Sequence, residues 1–389
     1  MHSLISPFAD QLNLAAQTAP QVTSTPWYIT TVAFLGMLVI LVFFHELGHF
    51  VTAILLGIQV EEFGIGYPPR AKVLFEHKGV KYTLNWLPLG GFVRFKGEDD
   101  SVYGVGSLAA AKPWRKIPVM AAGPLMNLVL AFVTFALIFS LSGIPQLKQA
   151  IMQDIFAGTP AAKAGLRSGD LLIKINGKPL SQIESFKRVA EQNNGKSIPV
   201  VIIREKTELT LQITPSVWAT PDGKQHSVGF GFGYLPDYEL VPASPPVALV
   251  ASLAHTSELL LRMIKGITDL VGGLFQLNPP PQGGVAGPIG IARATGEVLQ
   301  TSGMVGFWNW MAILSLNLFL LNLLPIPALD GSHILFALVE WARGGKKVPP
   351  EKEAIVHAIG FATLMGLMIL VSVSDLLNAL NGTSVLKGG

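Results

Sequence analysis

The sequence predicts a polytopic α-helical membrane protein with about four transmembrane helices and a soluble α+β domain inserted between them. Half of the 389 residues are hydrophobic, only 14% are charged, and the mean hydropathy is +0.48. Several apolar stretches reach the roughly 20 residues that are needed to cross a bilayer core of about 30 Å. Between two of these stretches, from about Gln146 onward, the composition becomes that of a soluble domain.

Composition also argues against several other classes of protein. The formal net charge of +3 is small and the basic residues form no single block, so we expect no nucleic-acid partner. Cysteine is absent, which excludes disulfides and thiolate metal sites. Residues 1–26 contain no Lys or Arg and lack the positive segment of a cleavable signal peptide. We expect them to remain attached as an external N-terminal arm.

The first predicted span, Trp27 to about Ile58, contains His45, Glu46 and His49. Ionisable groups inside a span cost about 2.5–3.5 kcal/mol each, so their presence needs a reason. On a helix the two histidines share a face, where they can bind one divalent cation while Glu46 stands beside an open coordination position. The alternative is two core histidines paired with a glutamate, but a bilayer offers no water to solvate them.

The charge on either side of this span predicts its orientation. The segment after the span is rich in Lys and Arg, whereas nothing before Trp27 is basic, so we expect the N-terminus outside and residues 59–116 in the cytosol. Within this loop two extended stretches flank residues 77–79 as a hairpin would, and a third contains Gly90 and Gly91. The pattern fits a solvated sheet, or a membrane-associated sheet whose edge pairs with an extended substrate.

The second predicted span runs from about Ile117 to Ser142 and completes the first part of a membrane domain at residues 27–146. Gly123 and Asn127 lie four residues apart near its cytosolic end. The glycine permits close approach of another helix and the amide can reach across a helix pair, although helix packing alone explains both residues equally well.

The predicted soluble domain occupies residues 147–238. Its central run, residues 160–177, has a short helix and a Gly-Asp turn before a buried strand at Leu171–Ile175, then an Asn-Gly turn. This run resembles the bacterial PDZ pattern, which implies a groove that takes an extended peptide by strand addition. The alternative role is a spacer that limits what approaches the membrane part. Residues 239–300 follow as a predicted amphipathic interfacial segment, because the charges within Val247–Leu274 fall mostly on one helix face. The Pro and Gly residues of Pro279–Gly284 then break the chain.

The second part of the membrane domain, residues 301–389, contains two further predicted spans. One begins near Val305 and ends at Pro325 and Pro327, where an ordinary helix cannot continue. Unwound backbone at this depth is tolerated only inside protein or beside a watery cavity, so Asp330 can turn inward. Two imidazoles and this carboxylate would make a catalytic zinc set, and the alternative for Asp330 is a helix-end cap. The last span, Ala354 to about Leu377, follows a basic loop at residues 341–353, which predicts a cytosolic loop and an external C-terminus.

Together these motifs resemble the site-2 protease family of intramembrane zinc metalloproteases. The resemblance rests on the histidine-glutamate motif of the first span, on Gly123 and Asn127, and on the Leu87–Gly91 loop. It also rests on the run from Asn322 to Gly331, with PDZ-like sequence between. The similarity is greatest to the bacterial branch that includes the regulator of sigma-E protease, although this chain has one PDZ-like module where that branch has two.

The resemblance implies the roles of individual residues. One zinc ion per chain would be bound by His45, His49 and Asp330, and Glu46 would activate water. Substrate-binding or positioning roles fall to four further residues: Asn322, Asn127, Gly90 and Gly91.

The resemblance also implies the substrate and the location. The enzyme would lie in a bacterial plasma membrane with the PDZ-like domain outside, where that domain could contact a peptide or ectodomain. It would cleave in or near a transmembrane segment of a membrane-bound protein, such as an anti-sigma factor or a signal-peptide remnant. Two alternatives are a membrane iron enzyme with the same ligand set, which leaves Glu46 without a task, and a PDZ scaffold, which leaves the buried ligands unexplained.

Overall fold

The computed structural model of the chain describes residues 26–97, 106–182, 186–219, 225–275 and 287–380. The chain divides into two compact units, whose described parts are residues 26–138 with 249–380, and residues 139–248. Nearly all of the predicted N-terminal arm, and the predicted break at Pro279–Gly284, lie outside the described residues.

The helices and strands of the described residues are numbered in chain order. The α-helices are α1 (Trp27–Leu55), α2 (Pro113–Ser142), α3 (Pro160–Lys163), α4 (Phe186–Gln192), α5 (Pro245–Phe275), α6 (Pro288–Leu323), α7 (Asp330–Ala342) and α8 (Pro350–Leu380). The strands are β1 (Val60–His77), β2 (Val80–Phe95), β3 (Ile144–Ile155), β4 (Leu171–Ile175), β5 (Lys178–Pro179), β6 (Ile198–Arg204), β7 (Thr207–Ile213), β8 (Ser216–Ala219), β9 (Gln225–Gly229) and β10 (Phe232–Val241).

Five helices in the described part of the chain are long and apolar enough to cross a membrane: α1, α2, α5, α6 and α8. The sequence predicted four such spans and an interfacial position for the segment that forms α5. Ser252 and Thr256 of α5 are buried, and His255 packs edge-on against Phe135 of α2 with ring centroids 4.8 Å apart. One face of α5 is thus packed inside the first unit. The length and composition of the helix are compatible with a fifth crossing as well as with the interfacial position.

Helix α6 begins well before the predicted Val305, and its path is interrupted by non-helical backbone at Gly303. Its first turn is held by Asp375 of α8, whose Oδ2 accepts hydrogen bonds from the backbone N–H groups of Gly287 (2.9 Å) and Gly290 (2.8 Å). These N–H groups have no carbonyl partner within the helix, so the carboxylate acts as the cap that a helix start in an apolar environment requires.

Strands β1 and β2 form a two-stranded antiparallel sheet. The predicted third stretch is not a separate strand, because residues 80–95 form one long strand. Phe63 pairs with both Tyr82 and Val93, so the first half of β1 lies between two parts of β2. Phe63 also packs against Phe43 and Phe50 of α1, with ring centroids 5.8 and 5.1 Å apart. These contacts bring the glycine-containing part of β2 against α1.

A buried carboxylate stabilises this sheet from within. Glu62 accepts hydrogen bonds from Arg70 Nη2 (2.5 Å) and Thr83 Oγ1 (2.7 Å). Burial alone would raise the pKa of Glu62, but the hydrogen bonds from Arg70 and Thr83 outweigh it and lower the pKa overall.

The second unit contains the predicted α+β domain, built around one mixed-length sheet. Strands β10, β3, β4, β6 and β7 lie in that order in one sheet, with β5 beside β4. The alternating apolar residues of these strands form a core that includes Met152, Leu172, Ile202 and Ile213. Strand β4 has the bounds predicted for the buried strand of this domain.

Candidate metal centre

Three side chains from two helices of the first unit meet at one point. The Nε2 atoms of His45 and His49 are 3.2 Å apart, and Asp330 Oδ2 lies 3.0 Å from the first and 3.4 Å from the second. In a tetrahedral zinc site with bonds of about 2.0–2.1 Å, ligand atoms lie about 3.3 Å from one another. The three separations therefore match those of a zinc centre to within a few tenths of an ångström.

The outer nitrogen of His49 determines which nitrogen can bind metal. His49 Nδ1 lies 2.8 Å from the backbone oxygen of Val119, an atom that can only accept a hydrogen bond. The proton of the neutral ring is therefore on Nδ1, and the Nε2 lone pair faces His45 and Asp330. Metal-binding histidines are commonly fixed in this way.

Asn127 serves the same purpose for His45. Its side-chain Nδ2 lies 3.2 Å from His45 Nδ1, while its Oδ1 is buried without a hydrogen-bond partner among the described residues. The oxygen and nitrogen of an amide are assigned from their hydrogen bonds, so exchanging them is permitted. With the oxygen toward the ring, Asn127 accepts a hydrogen bond from His45 Nδ1, which leaves His45 Nε2 free of a proton, as a metal ligand requires.

The three atoms that converge here can all act as electron-pair donors, which is what a bound cation requires. Asp330 Oδ2 is buried and has no hydrogen-bond donor among the described residues. With both Nε2 atoms unprotonated, three electron pairs point at one another, which is unfavourable unless a positive charge lies between them. His45, His49 and Asp330 therefore fit a bound metal ion.

Glycines allow the helices to bring these groups together. A Cβ atom on Gly48 would lie 2.2 Å from the carbonyl oxygen of Ala122, and one on Gly123 would lie 2.1 Å from His49 Nε2. Helices α1 and α2 can therefore approach closely only at these glycines. The sequence predicted close approach at Gly123, but nothing in its pattern identified the imidazole of His49 as the group that needs the space.

Asp330 is the first residue of α7, immediately after the turn that contains the two prolines. In this turn Ala328 has a φ of 75°, and a Cβ on Gly331 would lie 2.1 Å from the carbonyl oxygen of Leu324. The Asp330 side chain points toward the two histidines, and Leu329 holds the N-cap position.

Glu46 lies beside the three converging atoms and is not one of them. Its carboxylate lies within reach of the backbone N–H of Val93 in β2. A Cβ on Gly91 would lie 3.7 Å from the Glu46 side chain and 2.8 Å from the carbonyl oxygen of Gly64, so only glycine fits at this point of β2.

A cavity of about 270 Å³ opens onto Glu46 and His45. It is lined by Leu38, Val42, His45, Glu46, Tyr67, Gly90, Gly91, Asn127, Leu318 and Asn322. The structure thus brings all four residues that the sequence suggested for substrate binding or positioning to the same cavity. Sequence reasoning missed Tyr67, which lies on β1; burial and the nearby Glu46 carboxylate raise the pKa of Tyr67, so its phenol remains a hydrogen-bond donor.

Two histidines and an aspartate placed to hold zinc, with a glutamate beside them and a cavity in front, are typical of zinc metalloproteases. The chain belongs to this class and, within it, to peptidase family M50, whose model matches residues 33–367. The predicted resemblance to site-2 proteases and the predicted zinc cofactor are confirmed. The iron enzyme and the non-enzymatic scaffold are left without support.

The curated relatives extend over nearly the whole chain. The regulator of sigma-W protease RasP of Bacillus subtilis is 30% identical, with 89% of this chain and 98% of that protein aligned. The zinc metalloprotease RasP of Geobacillus kaustophilus is 30% identical over 89% of this chain and 97% of its own length. The protein of the same name from Bacillus licheniformis is 28% identical over 89% of this chain and 98% of its own length.

Proposed function

We propose that this enzyme is an intramembrane endopeptidase that hydrolyses a peptide bond in or near a transmembrane segment of another membrane protein. The observation that carries the proposal is the position of Glu46 and His45, which face a cavity between α1 and α6, two helices apolar enough to cross a membrane. The Bacillus subtilis relative is named for regulation of sigma-W. We therefore regard anti-sigma factors, together with signal-peptide remnants, as candidate substrates in regulated intramembrane proteolysis.

His45, His49 and Asp330 would hold the zinc ion, which supplies a Lewis acid for the scissile carbonyl and lowers the pKa of the attacking water. Glu46 acts as the general base: it takes a proton from the water and then donates it to the leaving amide nitrogen.

A helical substrate must become extended before its carbonyl can reach these groups. Gly90 and Gly91 lie at the cavity in a strand whose Gly91 pairs with Ile65 on one side, and we propose that an extended substrate binds along this glycine segment. Asn322 lines the same cavity, where its amide can hydrogen-bond a substrate peptide group. For Asn127 we propose that it positions His45 rather than substrate, since its amide meets the ring nitrogen.

The orientation that we propose follows the basic loops. The N-terminus, residues 147–238 and the C-terminus lie outside, and residues 59–116 and 341–353 lie in the cytosol. Reporter fusions at Ser181 and Gly345 should then lie on opposite sides of the membrane. Fusions that report the same side would contradict this topology.

We also propose that the soluble domain acts as a PDZ-like module on substrate ectodomains or peptides. It has a groove of about 250 Å³ lined by residues that include Phe186, Trp218 and Phe230. Deletion of residues 149–236 should leave zinc content intact. If the domain filters by size, the deleted enzyme should also cut spans whose outer part is still folded. If it recruits trimmed C-termini, these substrates should instead show a raised KM.

The decisive test of the proposed chemistry is the Glu46→Gln variant. This change removes the base and leaves the three ligands, so cleavage of a model transmembrane substrate should be abolished while about one zinc ion per chain remains. Asp330→Ala should lose both zinc and activity. Cleavage by purified Glu46→Gln protein at a rate near that of the wild type would contradict the mechanism.

A further inference from the structure

A second group of two histidines and a carboxylate lies next to the metal centre. It consists of His333, three residues after Asp330 on α7, and of Glu353 and His357 on α8. The two imidazole rings stack with centroids 4.3 Å apart and an interplanar angle of 18°. Glu353 Oε1 is 3.8 Å from His333 Nδ1 and 4.0 Å from His357 Nε2. By residue type alone this group could bind a metal ion.

The hydrogen bond on the far side of His357 argues for a different role. His357 Nδ1 accepts a hydrogen bond of 3.1 Å from the backbone N–H of Ala328. A backbone nitrogen can only donate, so Nδ1 carries no proton, and in the neutral ring the proton lies on Nε2. That protonated nitrogen faces Glu353 and has no lone pair to offer a metal ion. Turning the ring over would remove the acceptor from Ala328.

We propose that His357 is a positioning residue for the metal centre, holding the turn that carries Asp330 into place. The inference rests on the proposed role of Asp330 as a zinc ligand. Ala328 has a φ of 75°, a left-handed conformation that residues other than glycine rarely adopt, and its N–H is held by His357. Asp330 follows two residues later, so a change in the Ala328 backbone alters the direction in which the carboxylate points.

A second contact of α8 supports the same role. Gly360 lies three residues after His357 on the same helix face, and a Cβ there would lie 2.2 Å from Pro327 Cβ. The face formed by His357 and Gly360, which we call the turn-binding face of α8, therefore contacts two consecutive residues of the turn. Pro327 fits against the glycine, and Ala328 is fixed by the imidazole.

The test compares two substitutions that differ in one hydrogen-bond acceptor. His357→Leu replaces the imidazole by an apolar side chain of moderate size without the acceptor, whereas His357→Asn places Oδ1 close to the position of Nδ1. Zinc affinity is measured by competition with a chelator, and ligand geometry by the visible spectrum of the Co²⁺-substituted protein. Partners that orient metal ligands typically contribute 10–100-fold to affinity, so we expect His357→Leu to weaken binding by about 10-fold or more and to alter the spectrum. His357→Asn should recover most of both.

The matched control is His77→Leu, the same substitution at an exposed residue at the end of β1. It should leave affinity and spectrum as in the wild type. Thermal unfolding of each variant is measured in parallel, so that loss of fold is recognised.

Three outcomes would overturn the inference. The first is His357→Leu with wild-type affinity and spectrum. The second is equal weakening in the leucine and asparagine variants, because packing and not the acceptor would then be responsible. The third is a second Co²⁺ ion per chain that disappears in His333→Ala.

Asp330→Ala separates this inference from the proposed function. If that variant keeps its zinc, the proposed ligand set is wrong. If it loses zinc while His357→Leu retains it, only the positioning role of His357 fails.

Discussion

The metal centre and the group formed by His333, Glu353 and His357 each combine two histidines with one carboxylate, and each takes one residue from the first turns of α7. They differ in what the outer ring nitrogen meets. In the metal centre His49 faces a carbonyl oxygen, so its inner nitrogen is free to bind metal. In the second group His357 faces a backbone N–H, so its inner nitrogen keeps the proton. The hydrogen-bond partner of the outer ring nitrogen thus decides whether the inner nitrogen can bind a metal ion.

The two groups also differ in how closely their polar atoms approach one another and in how exposed their side chains are. The inner atoms of the metal centre are 3.0–3.4 Å apart, and the side chain of His49 is 6% exposed. The corresponding separations in the second group are 3.8 and 4.0 Å, and the side chain of His333 is 46% exposed. A buried set of converging acceptors needs a cation, whereas in the second group the exposed side chain of His333 can be satisfied by water.

The largest expected effect comes from removing one histidine of each group. His49→Ala should lose zinc and lower proteolytic activity by about three orders of magnitude or more, because one of the three proposed ligands is removed. His333→Ala should retain about one zinc per chain, since its ring lies against His357 and Glu353 and is not part of the group formed by His45, His49 and Asp330. Metal analysis of the purified proteins and cleavage of a model substrate measure both. Equal zinc loss in the two variants would make the groups equivalent and the comparison wrong.

The next effect concerns the space that Gly123 leaves for the His49 ring. Gly123→Ala would place a methyl group 2.1 Å from His49 Nε2 and must displace the ring, so we expect zinc affinity to fall by at least about 10-fold. Chelator competition provides the measurement. In the control Gly36→Ala, no atom lies within 4 Å of the added carbon, and affinity should not change. Normal affinity in Gly123→Ala would show that α1 and α2 can separate without cost to the site.

A smaller effect is expected at the turn-binding face of α8. Gly360→Ala would push against Pro327, which precedes Asp330 by three residues, so the intervening turn can absorb part of the shift before it reaches the carboxylate. We expect zinc affinity to fall by only about 3–10-fold, at or below the low end of effects at such outer positions. Gly366→Ala, six residues further along α8 with open space around it, is the control. If Gly360→Ala lost more zinc affinity than Gly123→Ala, the contact of α8 with the turn would matter more for zinc binding than the contact of α2 with His49.

The smallest effect concerns a carboxylate held by arginine instead of histidine. Burial alone would raise the pKa of Asp170, but hydrogen bonds from Arg204 and the Arg167 backbone outweigh it and lower the pKa. The folded pKa then lies below the unfolded value of about 3.9, so the stability that Asp170 contributes is complete above that pH and is lost as the pH falls further. Hydrogen exchange of the Met152 amide, which donates to the Asp170 carbonyl, should accelerate below about pH 4 beyond its intrinsic pH dependence.

Substituting the carboxylate checks this assignment. Asp170→Asn should make Met152 exchange fast at neutral pH as well and remove the additional acid effect. Asp154→Asn changes an exposed carboxylate on β3 and should behave as the wild type. An unchanged acid response in Asp170→Asn would assign the effect to another group.

Local periodicity made much of the metal centre predictable from the sequence. The spacing of His45 and His49 fixes them on one helix face whatever the rest of the chain does, and two nearby prolines mark where the backbone must leave a helix. The bounds of β4 were predicted for the same reason, since a short apolar run between turn residues has few alternatives.

Contacts between distant segments were not predictable in this way. His357 and Asp375 interact with Ala328 and Gly287, 29 and 88 residues away, and a single sequence contains no signal for such pairings. The division of β2 was misjudged because its two parts pair with the same residues of β1 across a turn. For α5 the charge pattern favoured one position and the apolar length permits another.

Helix α8 contacts the chain on both sides of α6: at the start of that helix and at the turn between it and Asp330. Near its C-terminal end Asp375 caps the start of α6, and near its N-terminal end His357 and Gly360 receive the turn that follows α6. A chain that stopped after Ala342 would still contain every motif by which such a protease is recognised. On the proposed role of α8, that chain would bind zinc poorly, because the segment that orients Asp330 would be missing. Surveys that count motifs alone would therefore accept truncated genes whose products are inactive.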